Sequence, residues 1–127
     1  MRYLPHIVGG LLGLMFIAFG LLFFVGPPPP KMAMPAAAEH FTRATLTTGF
    51  MHYVKAFEVI GGILVAIPRT RNFGLLVLGP IIINIIAYHA FLAGFSGAAV
   101  PIIGVISLFA IYLLWDGRRQ FTGLLKP

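Results

Sequence analysis

Apolar residues run along this chain in four long stretches, each closed by a proline, a glycine or a short basic break. The pattern predicts spans over about 4–25, 50–67, 73–92 and 100–115. About twenty apolar residues cross a hydrocarbon layer of roughly 30 Å at 1.5 Å per residue. Pro5 falls where a helix start tolerates it. Pro27 to Pro30 cannot continue the first helix and predict a short polyproline strut. Pro68 closes the second span, and Arg69-Thr70-Arg71-Asn72 makes a tight basic turn before Phe73. Pro80 lies inside the third span, where it bends the helix and frees the carbonyl of Leu76. Gly94 to Ala98 is a small uncharged turn. Pro101 sits in the first turn of the fourth span, and Tyr112 and Trp115 suit an interfacial aromatic belt.

The long connection after the first span carries one further signal. Pro35 opens a short helix from Ala36 to about Leu46, with Glu39 suited to its first turn. An ordered surface loop is the alternative reading. Ala36-Ala37-Ala38 lies too far beyond the first apolar run to mark a signal-peptide cleavage site.

Composition supports the membrane reading. The 127 residues are 59% hydrophobic and 9% charged, whereas soluble domains carry roughly 25% charged residues. The fold expected is an all-α integral membrane four-helix bundle, one domain over 1–127. The net charge of +6 reads as topology rather than as nucleic-acid binding. One side would carry Arg2, Arg69, Arg71, Arg118, Arg119 and Lys126, and the other Lys31 and Arg43. That asymmetry predicts that both termini are cytoplasmic. The absence of cysteine excludes disulfides, thiol nucleophiles and Cys-ligated clusters.

The unusual stretch is Gly49 to Gly62, apolar but carrying His52, Lys55 and Glu58 one helical turn apart. Charge inside hydrocarbon is costly and marks a functional hypothesis by default. Counted from the basic turn, Glu58 and Asn84 lie level, about 15 Å up their helices. His52 and His89 also lie level, nearer the outer interface. Two spans joined by so short a turn are antiparallel neighbours, so they can bring Glu58 to Asn84 and His52 to His89. Tyr88 is one turn from Asn84.

Each group has a plain structural explanation. Lys55 and Glu58 form an i,i+3 pair, or Glu58 is protonated. Asn84 is interhelical glue, and His89 bonds a backbone carbonyl. Gly9 with Gly13, and Gly61 with Gly62, allow close helix packing. The functional alternative is one polar-headed pocket for an apolar ligand, lined by Lys55, Glu58, Asn84, Tyr88 and His89. A quinone has that chemistry: its carbonyls accept hydrogen bonds while its tail lies among Phe and Ile side chains. Metal ligation by Glu58, His52 and His89 is disfavoured, because Lys55 opposes a cation and a helix sets i,i+6 about 120° apart. No nucleophile elbow, phosphate loop or HExxH pattern is present.

Three quoted stretches resemble the DoxX family of small membrane proteins. These are GLLGLMFIAFGLLFF, YVKAFEVIGGILVAIPRTRNFG and LLVLGPIIINIIAYHAFL. The resemblance runs from about Leu12 to Tyr112, and Glu58, Gly61, Gly62, Asn84 and His89 match the family pattern. It implies a four-helix bundle in a bacterial inner membrane, associated with redox partner subunits. It implies no catalytic residue, so the chain is not expected to catalyse alone. Two further functions remain open: a structural membrane subunit without a ligand, and a small-solute permease formed by a homo-oligomer.

Overall fold

The computed structural model describes residues 3–27, 33–95, 97 and 99–126. Six α-helices account for most of it: α1 (Leu4–Val25), α2 (Ala36–Thr47), α3 (Phe50–Ala66), α4 (Arg71–Tyr88), α5 (Ala99–Asp116) and α6 (Arg118–Gly123). Four of them close a ring in which α1 packs on α3, α3 on α4, α4 on α5, and α5 back on α1. The polyproline strut, Arg2 and Lys31 lie outside the described residues.

Leu4–Val25, Pro68–Ala93 and Ala99–Asp116 are long and apolar enough to cross a membrane, with mean hydropathies of 2.5, 2.1 and 2.0. Helix α3 is shorter, at 17 residues. That is the lower end of the roughly 17–25 residues that cross a bilayer, and α2 precedes it at a bend of 83°. The helical reading of the first connection is therefore the correct one, and α2 lies almost across the axis of α3. Gly49 makes that corner. Its φ of +82° is a left-handed conformation that costs an L side chain roughly 1–2 kcal/mol. The Thr48 hydroxyl also bonds back to the Ala44 carbonyl at 2.6 Å, closing the end of α2.

The core is a single apolar cluster built from Val8, Leu12 and Phe16 of α1, Val65 of α3, Leu75, Leu78 and Ile82 of α4, and Ile106, Ala110 and Leu113 of α5. The four-residue spacing on α1 continues to Gly20, giving one buried row. The opposite faces remain open: Ile7, Leu14, Ile83, Leu108 and Ile111 are each more than half exposed. Apolar residues on both sides of the same helices fit a bundle whose outer solvent is itself apolar.

Close crossings are set by glycines, and each faces a different neighbour. A Cβ on Gly62 would stand 2.7 Å from the Gly13 carbonyl oxygen, and one on Gly13 would overlap the Gly62 carbonyl. Gly61 faces α4, where a Cβ would come within 2.6 Å of Leu78. Gly9 differs from expectation. It admits the guanidinium of Arg71 rather than a neighbouring helix.

The turn between α3 and α4 is shorter than the basic turn read from sequence. Pro68–Thr70 forms one 3₁₀ turn and α4 begins at Arg71. The last carbonyls of α3 explain the difference. Thr70 Oγ1 donates to the Leu64 carbonyl at 2.8 Å and Arg71 Nε to the Val65 carbonyl at 2.9 Å. Two side chains thus satisfy acceptors that a helix end leaves free, and Arg71 is drawn in, 7% exposed. At the other end α4 passes into a single π turn, His89–Ala93, closed by the Gly94 N–H on the His89 carbonyl at 2.7 Å. Pro80 is accommodated within α4.

Candidate functional site

Helices α3 and α4 are pinned together near their shared turn by the Gly61–Leu78 and Gly74–Val65 approaches. Toward the α2 end the space between them opens into a cavity of about 840 Å³. Helix α2 contributes Phe41, Thr42, Thr45 and Leu46 to its wall, and Phe23 of α1 closes another side. All five predicted ligand residues, Lys55, Glu58, Asn84, Tyr88 and His89, line this one cavity. Apart from Thr42 and Thr45, the remaining surface is apolar, with Phe50, Met51, Val54, Ile81, Ile85, Phe91 and Leu92 among its residues.

Glu58 is the deepest polar residue on the α3 side. Its residue is 4% exposed. The Lys55 ammonium lies 3.2 Å from Oε2 and 3.4 Å from Oε1. The i,i+3 spacing puts both on one helical face, so the contact between them anticipated at the sequence level is made. Lys55 is more open than its partner, with 24% of its side chain exposed against 5% for Glu58. An ammonium has three N–H donors, and the carboxylate does not occupy them all.

The expected partnership of Glu58 with Asn84 is not made. Both line the cavity, but no hydrogen bond joins them, and the carboxylate's side-chain partner is Lys55. Asn84 is exposed to the open space. The pairing of His52 with His89 is not made either. His52 turns to α1, with ring centroids 4.9 Å from Phe23 and 5.9 Å from Phe24. Six residues of helix separate His52 from Glu58 by about 120° of rotation, so the two face different neighbours. That rotation also keeps Glu58, His52 and His89 from assembling as ligands of one ion.

His89 Nδ1 lies 2.9 Å from the Ile85 carbonyl. A carbonyl only accepts, so Nδ1 carries the proton and Nε2 of the neutral ring is an acceptor. The ring stacks on Phe95 at 6.1 Å and meets Tyr88 edge-on at 5.0 Å. Tyr88 in turn packs on Phe41 of α2 at 5.2 Å, which ties the cavity roof to α4. The π turn that begins at His89 was not foreseen. Such turns place side chains off the regular α-helical register and are frequent at functional sites. Phe41 and the three other α2 residues were also missed as wall residues, since nothing in their spacing shows which side of a connection folds back.

The site can therefore offer Lys55 N–H donors, an Asn84 amide that both donates and accepts, a Tyr88 hydroxyl and an acceptor at His89 Nε2. All are carried on a largely apolar wall.

The chain is similar to one uncharacterised protein, YwoB of Bacillus subtilis (strain 168). The two are 29% identical over 120 residues, covering 87% of this chain and 75% of that protein. No protein-family profile matches the chain. No solved structure matches it either.

Proposed function

We propose that the chain is a DoxX-like, four-span subunit of a bacterial inner membrane that holds a quinone, or a similar polar-headed lipid-soluble molecule, between α3 and α4. The observation that carries this reading is the cavity itself. It gathers Lys55, Glu58, Asn84, Tyr88 and His89 from α3 and α4 into one largely apolar space, to which α2 adds Thr42 and Thr45. Small-molecule sites commonly have that character, with volumes of roughly 300–1,000 Å³.

The chemistry divides along the cavity. A carbonyl head would accept from Lys55 and Asn84. A reduced, hydroxyl-bearing head would donate to His89 Nε2 or to the Tyr88 oxygen. Redox interconversion of such a ligand moves protons as well as electrons, and His89 is placed to take one of those protons. The electrons would come from partner subunits, so the chain acts as a binding subunit. In this reading α1, α3, α4 and α5 span the bilayer, both termini are cytoplasmic, and α2 lies along the outer interface.

One observation favours the structural alternative. Lys55 and Glu58 already neutralise each other, as a pair that merely makes α3 tolerable in a bundle would. Mass spectrometry of small molecules extracted from purified protein separates the two. A polar-headed isoprenoid in near-stoichiometric amount supports the ligand site. Extracts holding only bulk phospholipid favour the structural subunit.

A further inference from the structure

Helix α2 is attached to the cavity unlike the other walls. Ala38, Phe41, Thr42 and Thr45 form one row at helical spacing. The last three line the cavity, and Ala38 and Thr45 are the buried residues of α2. The other face, with Glu39, His40, Arg43 and Thr47, is exposed. The helix is thus a roof one layer thick.

The polar bonds of α2 are almost all its own. Thr45 Oγ1 donates to the Phe41 carbonyl at 2.9 Å, and Thr47 Oγ1 to the Arg43 carbonyl at 2.7 Å. Arg43 Nη2 lies 3.4 Å from Glu39 Oε1. Among the described residues, none of its hydrogen bonds reaches α1, α4 or the π turn. The one to α3 is made at the corner itself, from the Phe50 N–H to the Thr48 hydroxyl at 3.4 Å. What ties the roof to α4 is the ring contact of Phe41 with Tyr88. A buried polar group left unpaired is expensive, but lifting α2 as a unit breaks no such bond. Both ends of the helix are also free to turn. Pro35 precedes it in an extended conformation, at φ −57° and ψ 151°. Gly49 follows at φ +82°, and a Cβ there would meet nothing within 4 Å, so no neighbouring side chain braces the corner. Hinges are commonly element-terminal positions of this kind.

We propose that α2 is a lid that swings about Gly49 and admits the ligand to the cavity, with the Phe41–Tyr88 contact as its latch. Closure brings Thr42 and Thr45 over the space that Lys55 and Asn84 border. The inference rests on the ligand-site reading for what passes beneath the lid, and on the attachment of α2 alone for the motion.

The chain contains no cysteine, so one introduced thiol reports on the motion in the intact protein in detergent. Thr45 is 6% exposed. Thr45→Cys should react with a polar maleimide only through opening, far more slowly than the exposed Thr47→Cys. Adding Phe41→Ala should speed that reaction roughly three- to tenfold, the factor that one aromatic pair is worth. Val65→Cys, in the core, should stay unreactive in both backgrounds, which separates lid opening from general loosening. A saturating short-chain quinone analogue should slow the labelling of Thr45→Cys. Thr45→Cys reacting no faster than Val65→Cys, or at a rate that Phe41→Ala leaves unchanged, overturns the lid. So does immediate reaction at the Thr47→Cys rate. Labelling that Phe41→Ala speeds but the analogue leaves untouched upholds the moving helix and counts against the ligand reading instead.

Discussion

The Lys55 ammonium lies 3.2 Å from Glu58 Oε2, on the face of α3 that borders the large cavity. Removing one member leaves the other charge without its partner in a poorly solvated place, a change that costs about 3–5 kcal/mol in buried pairs. Removing both with apolar or neutral side chains of similar size is often close to neutral. Lys55→Met and Glu58→Gln should each lower thermal stability in detergent, and the double variant should recover part of the loss. A coupling energy of about 1–3 kcal/mol from the double-mutant cycle is expected. Additive losses would mean that the two groups do not interact.

Gly13 and Gly62 set how closely α1 approaches α3. Gly13→Ala would push a methyl onto the Gly62 carbonyl and bring it within 2.8 Å of the Ala66 Cβ. Overpacking of this kind costs about 1–3 kcal/mol. Gly10→Ala is the control, since a Cβ there meets nothing within 4 Å. It should be neutral or slightly stabilising. Melting curves of the two variants check the difference.

The corner at Gly49 should tolerate Asn better than Ala. Space is open around it, but its φ is +82°, and of these residues Asn visits the left-handed region more readily. Gly49→Ala should lose about 1–2 kcal/mol, or else reset the angle between α2 and α3. Limited proteolysis of α2 reads out the second outcome as faster cleavage.

Topology is testable directly, because the chain contains no cysteine. Arg69→Cys and Gln120→Cys should react with a membrane-impermeant maleimide only after the cytoplasmic face is opened. Arg43→Cys should react in intact cells. The reverse pattern would invert the bundle and place α2 inside.

The positions of the apolar helices were readable because hydrophobic length is set by single residues in order. Counting along two helices that share a turn also anticipated that Glu58 and Asn84 would border one space. Rotation about the helix axis was less legible. His52 counts as level with His89 along the sequence, yet it packs on Phe23 and Phe24, and depth alone carries no information on azimuth. Arg71 shows a different limit. A basic residue in the turn after Pro68 reads as solvated, yet the free carbonyl of Val65 and the space above Gly9 bring it inside. The contribution of α2 to the cavity depended on the corner at Gly49, which the glycine permits but does not by itself dictate.

The most direct test is equilibrium binding of a short-chain quinone analogue to the purified protein, compared with Asn84→Leu and His89→Ala. Neither Asn84 nor His89 belongs to the core cluster, so both variants should melt near the parent temperature. The account predicts saturable binding by the parent and at least a tenfold weaker affinity in each variant, the equivalent of about 1.4 kcal/mol. Parent and variants binding the analogue equally, or none binding it at all, would contradict the assignment of this cavity as a ligand site for such a molecule.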